Sequence, residues 1–296
     1  MTYWNVITSM RYFRLPDGDG SRLIAADGDH AYDLTAAKPR LDGFGDLAAA
    51  ADVAETGIDE LAAGLTDSAS TVDRGSLSEA LRPVVPEEVW AAGVTYEISE
   101  AAREEESGRP EIYLDVYEAE RPEIFFKATP SRTVGPNEAV GVRGDSAWNV
   151  PEPELGVVVY DGRIVGYTVG NDVSSREIEG ENPLYLPQAK VYDRCCSIGP
   201  CVTAAEAVDP HDLTMSMEIR RDGEVVYEGE TSTSEMARTC EELVECWRAH
   251  DVVPELGVLL TGTSLVPEEG LTLRPDDVVS ISIDDVGELV NHVVEV

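Results

Sequence analysis

The segment ELGVVVYDGRIVGYTVG, residues 154 to 170, constrains the fold of this chain more than any other. Two apolar runs flank Asp161-Gly162, a dipeptide suited to the left-handed backbone of a two-residue hairpin turn. The segment therefore predicts two antiparallel strands pointing into one core. TMSMEIRRDGEVVYEG predicts a second hairpin, again with Asp-Gly at its tip, and GVLLTGTSLV and DVVSISIDDVGELVNHVVEV read as further strands. STSEMARTCEELVECWRAH has the cap and periodicity of a helix beginning near Ser234. Strands outnumber helices and join through tight turns, so the expected fold class is α+β, predominantly β, with an antiparallel or mixed architecture.

Upstream, residues 3 to 35 contain short β-like pieces broken by Asp-Gly turns, and residues 43 to 65 carry alanine, leucine and acids at helical spacing. Residues 66 to 82 turn polar before RPVVPEEVW restarts an apolar pattern. This shift predicts a small N-terminal α/β domain over 1–82 and a larger second domain over 83–296. The 296 residues suffice for one large domain with such an appendage.

Charge narrows the function classes. The chain has 58 acidic against 22 basic residues, a formal charge of -36, which argues against a nucleic-acid or anionic-membrane surface. Lys38, Lys127 and Lys190 are the lysines; arginine carries the remaining positive charge. Acids spread along the whole chain suit a protein kept soluble in high salt, as in halophiles. The five cysteines are odd in number and lack a zinc or secreted-disulfide spacing, and no apolar stretch approaches a bilayer's width. A cytoplasmic protein with reduced thiols is expected.

In NVPEPELGVVV, Glu152 and Glu154 are separated by one residue, so an extended backbone puts both carboxylates on one face. The hairpin then returns through GYTVGNDVSSRE and delivers Asp172 just beyond the end of its second strand, near the two glutamates. Three oxygen ligands with room for water and a chelating substrate suit Mg2+ or Mn2+ better than zinc. Taken by itself, a Glu-x-Glu beside a strand also reads as a solvated edge.

The segments VPEPELGVVVY, GYTVGNDVSSRE, ENPLYLPQAKVYD and CCSIGPCV resemble, in order and spacing, the core of the fumarylacetoacetate hydrolase superfamily. GVTYEIS, VYEAERPEIFFKATPSRTVG and VRGDSAWNVPEPEL are similar to its branch of 2-oxo-3-deoxy-pentonate dehydratases, which form 2,5-dioxopentanoate. The resemblance implies a mixed β-sandwich roll, with Glu152, Glu154 and Asp172 around Mg2+ or Mn2+. It places Glu123 and Lys190 in the pocket as acid, base or substrate contacts. Thr95, Tyr96 and Glu97 match the pocket edge of relatives, and Thr261, Gly262 and Thr263 match a Thr-Gly-Thr loop that would suit the substrate carboxylate. The implied partner is a small 2-oxo sugar acid, and the implied assembly a homo-oligomer, dimer or tetramer.

The residues themselves bear on these roles. Glu123 heads the apolar run IFFKA, where an acid is partly desolvated and suited to proton transfer; a solvated strand edge is the alternative. Lysines retained in so arginine-dominated a chain suggest a need for a compact ammonium at Lys190; Lys127 shares that argument and is expected among the substrate contacts, although chance can also place two of the three lysines here. A Schiff base from Lys190 is a rival chemistry. The Thr-Gly-Thr loop also reads as a plain turn. Members that cleave carbon-carbon bonds commonly carry a histidine shortly after the Gly-x-x-Tyr segment. The four histidines here, His30, His211, His250 and His292, lie elsewhere. Dehydration is therefore favoured over acylpyruvate hydrolysis or oxo-acid decarboxylation, with a non-catalytic metal-binding protein as a further alternative.

Overall fold

The computed structural model describes residues 9–96, 115–268 and 270–296. The 154–170 segment forms the expected hairpin, Pro153–Tyr160 paired antiparallel with Arg163–Asp172. Asp161 at φ 48 and Gly162 at φ 72 make its tip a left-handed turn that matches the twist of the strands. Asp222 at φ 52 and Gly223 at φ 83 do the same between Thr214–Arg221 and Glu224–Ser232.

The first hairpin is the middle of an eleven-stranded mixed sheet. Beyond Arg163–Asp172 lie Cys196–Ala204 and the strands Arg11–Asp17, Gly20–Ala26, Ala31–Asp33 and Ser70–Thr71; beyond Pro153–Tyr160 lie Leu256–Leu260, Glu88–Gly93 and Glu123–Ala128; the eleventh, Thr133–Val134, pairs with Cys196–Ala204 beside this path. A five-stranded sheet is built from the second hairpin with Val278–Ile283, Gly287–Glu295 and Ala139–Val142.

Burial periodicity explains how the layers stack. Along Thr214–Arg221 only Met215, Met217 and Ile219 are buried, the alternation of a strand with one face in a core. They pack with Ile281, Ile283 and Leu289 of their own sheet and with Val157, Val159 and Val169 of the large one. Val158 points the other way, into a cluster with Phe44 and Leu47 of the helix Phe44–Ala54. The central strand is thus buried on both faces, which its unbroken apolar run requires. Fold class agrees with expectation: predominantly β, a sandwich of mixed sheets with helices outside.

Two local differences have physical causes. The helix expected from near Ser234 begins at Cys240, after a 3-10 turn at Thr233–Glu235. The reciprocal capping box decides this: Glu242 N donates to Thr239 Oγ1 at 3.1 Å and Thr239 N to Glu242 Oε2 at 2.9 Å. GVLLTGTSLV is a strand only to Leu260, because Gly262 takes φ 82 and turns the chain. The strands before residue 82 continue the large sheet, with Arg11–Phe13 registered against Cys201–Thr203, so backbone pairing crosses the expected domain boundary.

Candidate active site

Hairpin register assembles the acidic centre. Glu154 lies opposite Gly170 and Pro153 opposite Asn171, and Asp172 N donates to Glu152 O at 2.9 Å. Asp172 is the last residue of its strand, not one beyond it. Carboxylate oxygens of Glu152, Glu154 and Asp172 lie within 4.8 Å of one another. All three are buried, at 6%, 1% and 0% exposure, which rules out the solvated-edge reading.

Three anions in so little water require compensation. Lys190 Nζ donates to Glu152 Oε2 at 2.7 Å and lies 3.4 Å from Asp172 Oδ2. Arg176 Nε lies 3.5 Å from Glu152 Oε1, and Lys127 pairs with Asp172 Oδ1. Burial opposes the charge on Glu152, but Lys190 and Arg176 outweigh it and hold that carboxyl below the usual range. Glu154 differs. It accepts from Gly262 N at 2.6 Å but pairs with no ammonium or guanidinium among the described residues. Burial first, then Asp172 and Glu152, push its carboxyl well above the usual range. Glu152 Oε1 is moreover buried without a hydrogen bond. A partner-poor Glu154 beside a Glu152 oxygen that has an ion pair but no hydrogen bond, in an all-oxygen set, fits a hard divalent cation.

A cleft of about 360 Å³ opens over this triad, within the size range of small-molecule sites. Glu123 enters from the first residue of Glu123–Ala128, where its carboxylate fills the space a side chain at Gly93 would need. Burial is the largest influence on it and pushes its pKa up despite the attraction of Lys190. Lys190, the last residue of the helix Leu186–Lys190, has its ammonium between Glu152 and Asp172. Burial alone would lower its pKa, but Asp172, Glu152 and Glu179 hold it well above the usual range. Thr95, Tyr96 and Thr263 line the same cleft, whereas Glu97 lies outside the described residues.

Three residues are placed differently from expectation. Lys127 is fully buried behind Asp172 and lines no part of the cleft, because its strand turns that side chain toward the protein interior. Thr261 is also buried off the cleft, with its carbonyl accepting from Thr95 Oγ1 at 2.5 Å. The Gly262 amide, expected on a substrate carboxylate, is committed to Glu154. Sequence reasoning gave no role to Arg176 and Glu179, which stand in the cleft wall. The signal was present: an arginine four residues after Asp172, in a chain poor in cations.

A profile of the fumarylacetoacetate hydrolase C-terminal domain matches residues 88–294. The chain belongs to the fumarylacetoacetate hydrolase family. A probable 2-keto-3-deoxyxylonate dehydratase of Haloferax volcanii is 61% identical over 97% of this chain and 100% of its own length. The 2-dehydro-3-deoxy-D-arabinonate dehydratase of Saccharolobus solfataricus is 45% identical over 72% of this chain and 73% of its own. Among solved structures, 2-keto-3-deoxy-D-arabinonate dehydratase complexed with magnesium and 2,5-dioxopentanoate superposes with a TM-score of 0.83. That structure is 34% identical and covers 97% of this chain and 99% of its own.

Proposed function

We propose that this chain is a Mg2+-dependent hydro-lyase that converts 2-dehydro-3-deoxy-D-pentonate, of the arabinonate or xylonate type, to 2,5-dioxopentanoate in oxidative pentose breakdown. The observation that carries the reading is the buried Glu152, Glu154 and Asp172 triad sharing one cleft with Lys190 and Glu123. The dehydratase relatives support the substrate class, and the magnesium-bound relative supports the cation.

Glu152, Glu154 and Asp172 would hold the cation, with Mn2+ as an alternative to Mg2+. When bound, it supplies Lewis-acid stabilisation of negative charge developing on the substrate's 2-oxo oxygen. The chain supplies the rest. Lys190 Nζ and the Glu123 carboxyl divide the two proton transfers, one removing the C3 proton and the other protonating the departing C4 hydroxyl. The resulting C3=C4 enone loses a C5 proton and regains one at C3, and the C5 enol so formed gives up its hydroxyl proton while C4 takes one from solvent, which leaves the C5 aldehyde. Tyr96 and Phe125 in the wall keep the cleft partly apolar, and Thr95 and Thr263 border it.

Hydrolysis is disfavoured by a specific absence: none of the four histidines lines the cleft. A non-catalytic role is disfavoured because the cleft places two proton carriers beside the cation site. Turnover in D2O tests the reading. Loss of water with solvent deuterium at C4 of 2,5-dioxopentanoate is expected; products of carbon-carbon cleavage would overturn it.

The cytoplasm is the proposed location, and among the described residues no helix is long and apolar enough to cross a membrane. A dimer or tetramer is proposed on family likeness and is measurable by light scattering.

A further inference from the structure

Lys127 is one of three lysines in the chain, and it is the one with no exposure at all. Its Nζ donates to Val173 O at 3.0 Å and to Lys190 O at 2.6 Å, and it pairs with Asp172 Oδ1. Two of the ammonium's three N–H donors go to backbone carbonyls and its charge is paired with Asp172. It lines no part of the cleft.

All three partners belong to the catalytic framework. Asp172 is a member of the acidic triad, Val173 is its neighbour, and Lys190 supplies the cleft's ammonium. Lys127 therefore ties the end of the strand Arg163–Asp172 to the C-terminal end of the helix Leu186–Lys190. With Oδ1 engaged from behind, Asp172 turns Oδ2 toward the cleft, 3.4 Å from Lys190 Nζ. The surroundings fix the anchor: Tyr192 OH donates to Val173 O at 2.7 Å, and the Tyr192 ring lies 5.7 Å from Lys127 Nζ. A lysine suits this place because its compact ammonium can aim donors in three directions, whereas a guanidinium fork is planar.

We propose that Lys127 is a positioning residue, which orients Asp172 toward the cation and fixes Lys190 relative to it, and that it never touches substrate. The proposal rests on reading Glu152, Glu154 and Asp172 as the cation site.

The test is Mn2+ titration of substrate-free protein, followed by electron paramagnetic resonance, for wild type and Lys127→Met, with kcat, KM and melting temperature measured alongside. The proposal expects Mn2+ affinity to fall by about 10- to 100-fold, the usual effect of losing a group that orients a metal ligand. It also expects kcat at saturating metal to fall by about 100-fold through displaced geometry, with KM changing far less. Unchanged Mn2+ affinity with a raised KM would make Lys127 a substrate contact and overturn the proposal. A lower melting temperature with affinity, kcat and KM intact would reduce it to a structural residue, also overturning it. A wild-type protein that binds no Mn2+ would overturn the cation reading itself, a separable outcome. Should Lys127→Met not fold, lysine-15N spectra of the wild type decide, since only three ammonium signals exist. The Lys127 signal must shift on Mg2+ alone; a shift seen only on adding 2-oxobutanoate would refute the proposal.

Discussion

Glu123 illustrates how one carboxyl becomes useful by where its strand begins. Its ionised form is disfavoured in the folded protein because burial withholds water, so its pKa is raised on folding. Below the usual carboxylate range both states bind the proton and no cost arises. As pH rises through the raised folded pKa, the ionised, half-buried group destabilises the fold. Glu123→Gln should therefore melt above wild type at alkaline pH, with the gain shrinking to nothing in acid, while kcat falls by about 10²- to 10⁴-fold. Paired melting curves and rates check both. Glu154→Gln should retain its circular dichroism spectrum yet lose Mn2+ binding and turnover, because Glu154 is the triad member without an ion pair among the described residues. Retained Mn2+ binding would remove Glu154 from the cation site.

At the scale of elements, the site depends on a hairpin and a loop. The hairpin sets Glu152, Glu154 and Asp172 together, and the loop after Leu256–Leu260 returns Gly262 to hold Glu154. Gly262 has φ 82, and a Cβ there would collide with Thr95 Oγ1 and Ala92 O. Gly262→Ala should thus cost about 1–3 kcal/mol and weaken Mn2+ binding, readable from denaturant midpoints and the same titration. The hairpin was legible in the sequence because Asp161-Gly162 and period-2 spacing are local signals. The triad's meeting followed from that hairpin, but spacing alone left a solvated edge open until the family resemblance was added. Lys127 and Thr261 were not: strand periodicity says that a side chain leaves one face, but only the packed sheet decides whether that face is cleft or interior. The late helix start was readable in principle, since Thr239 and Glu242 have the capping-box spacing.

For the whole molecule, long-range pairing was the least legible part. Nothing local announces that Arg11–Asp17 will pair with Cys196–Ala204, and this pairing joins the N-terminal strands to the large sheet. Charge was legible at once. With 58 acids against 22 bases, self-repulsion opposes compactness until salt screens it. The melting temperature should rise as KCl increases from about 0.1 M to about 1 M, as the Debye length shrinks from about 10 Å to about 3 Å. A flat response would show that the acids are locally compensated. The likeness to the Haloferax volcanii relative fits a protein of this kind.

The central claim, metal-dependent dehydration at the Glu152, Glu154 and Asp172 centre, is tested most directly by turnover of the two C4 epimers of 2-oxo-3-deoxy-pentonate, with Mg2+ and with chelator. The account predicts 2,5-dioxopentanoate from at least one epimer, abolished by chelator and restored by Mg2+. No product from either epimer, or formation indifferent to chelator, would contradict it.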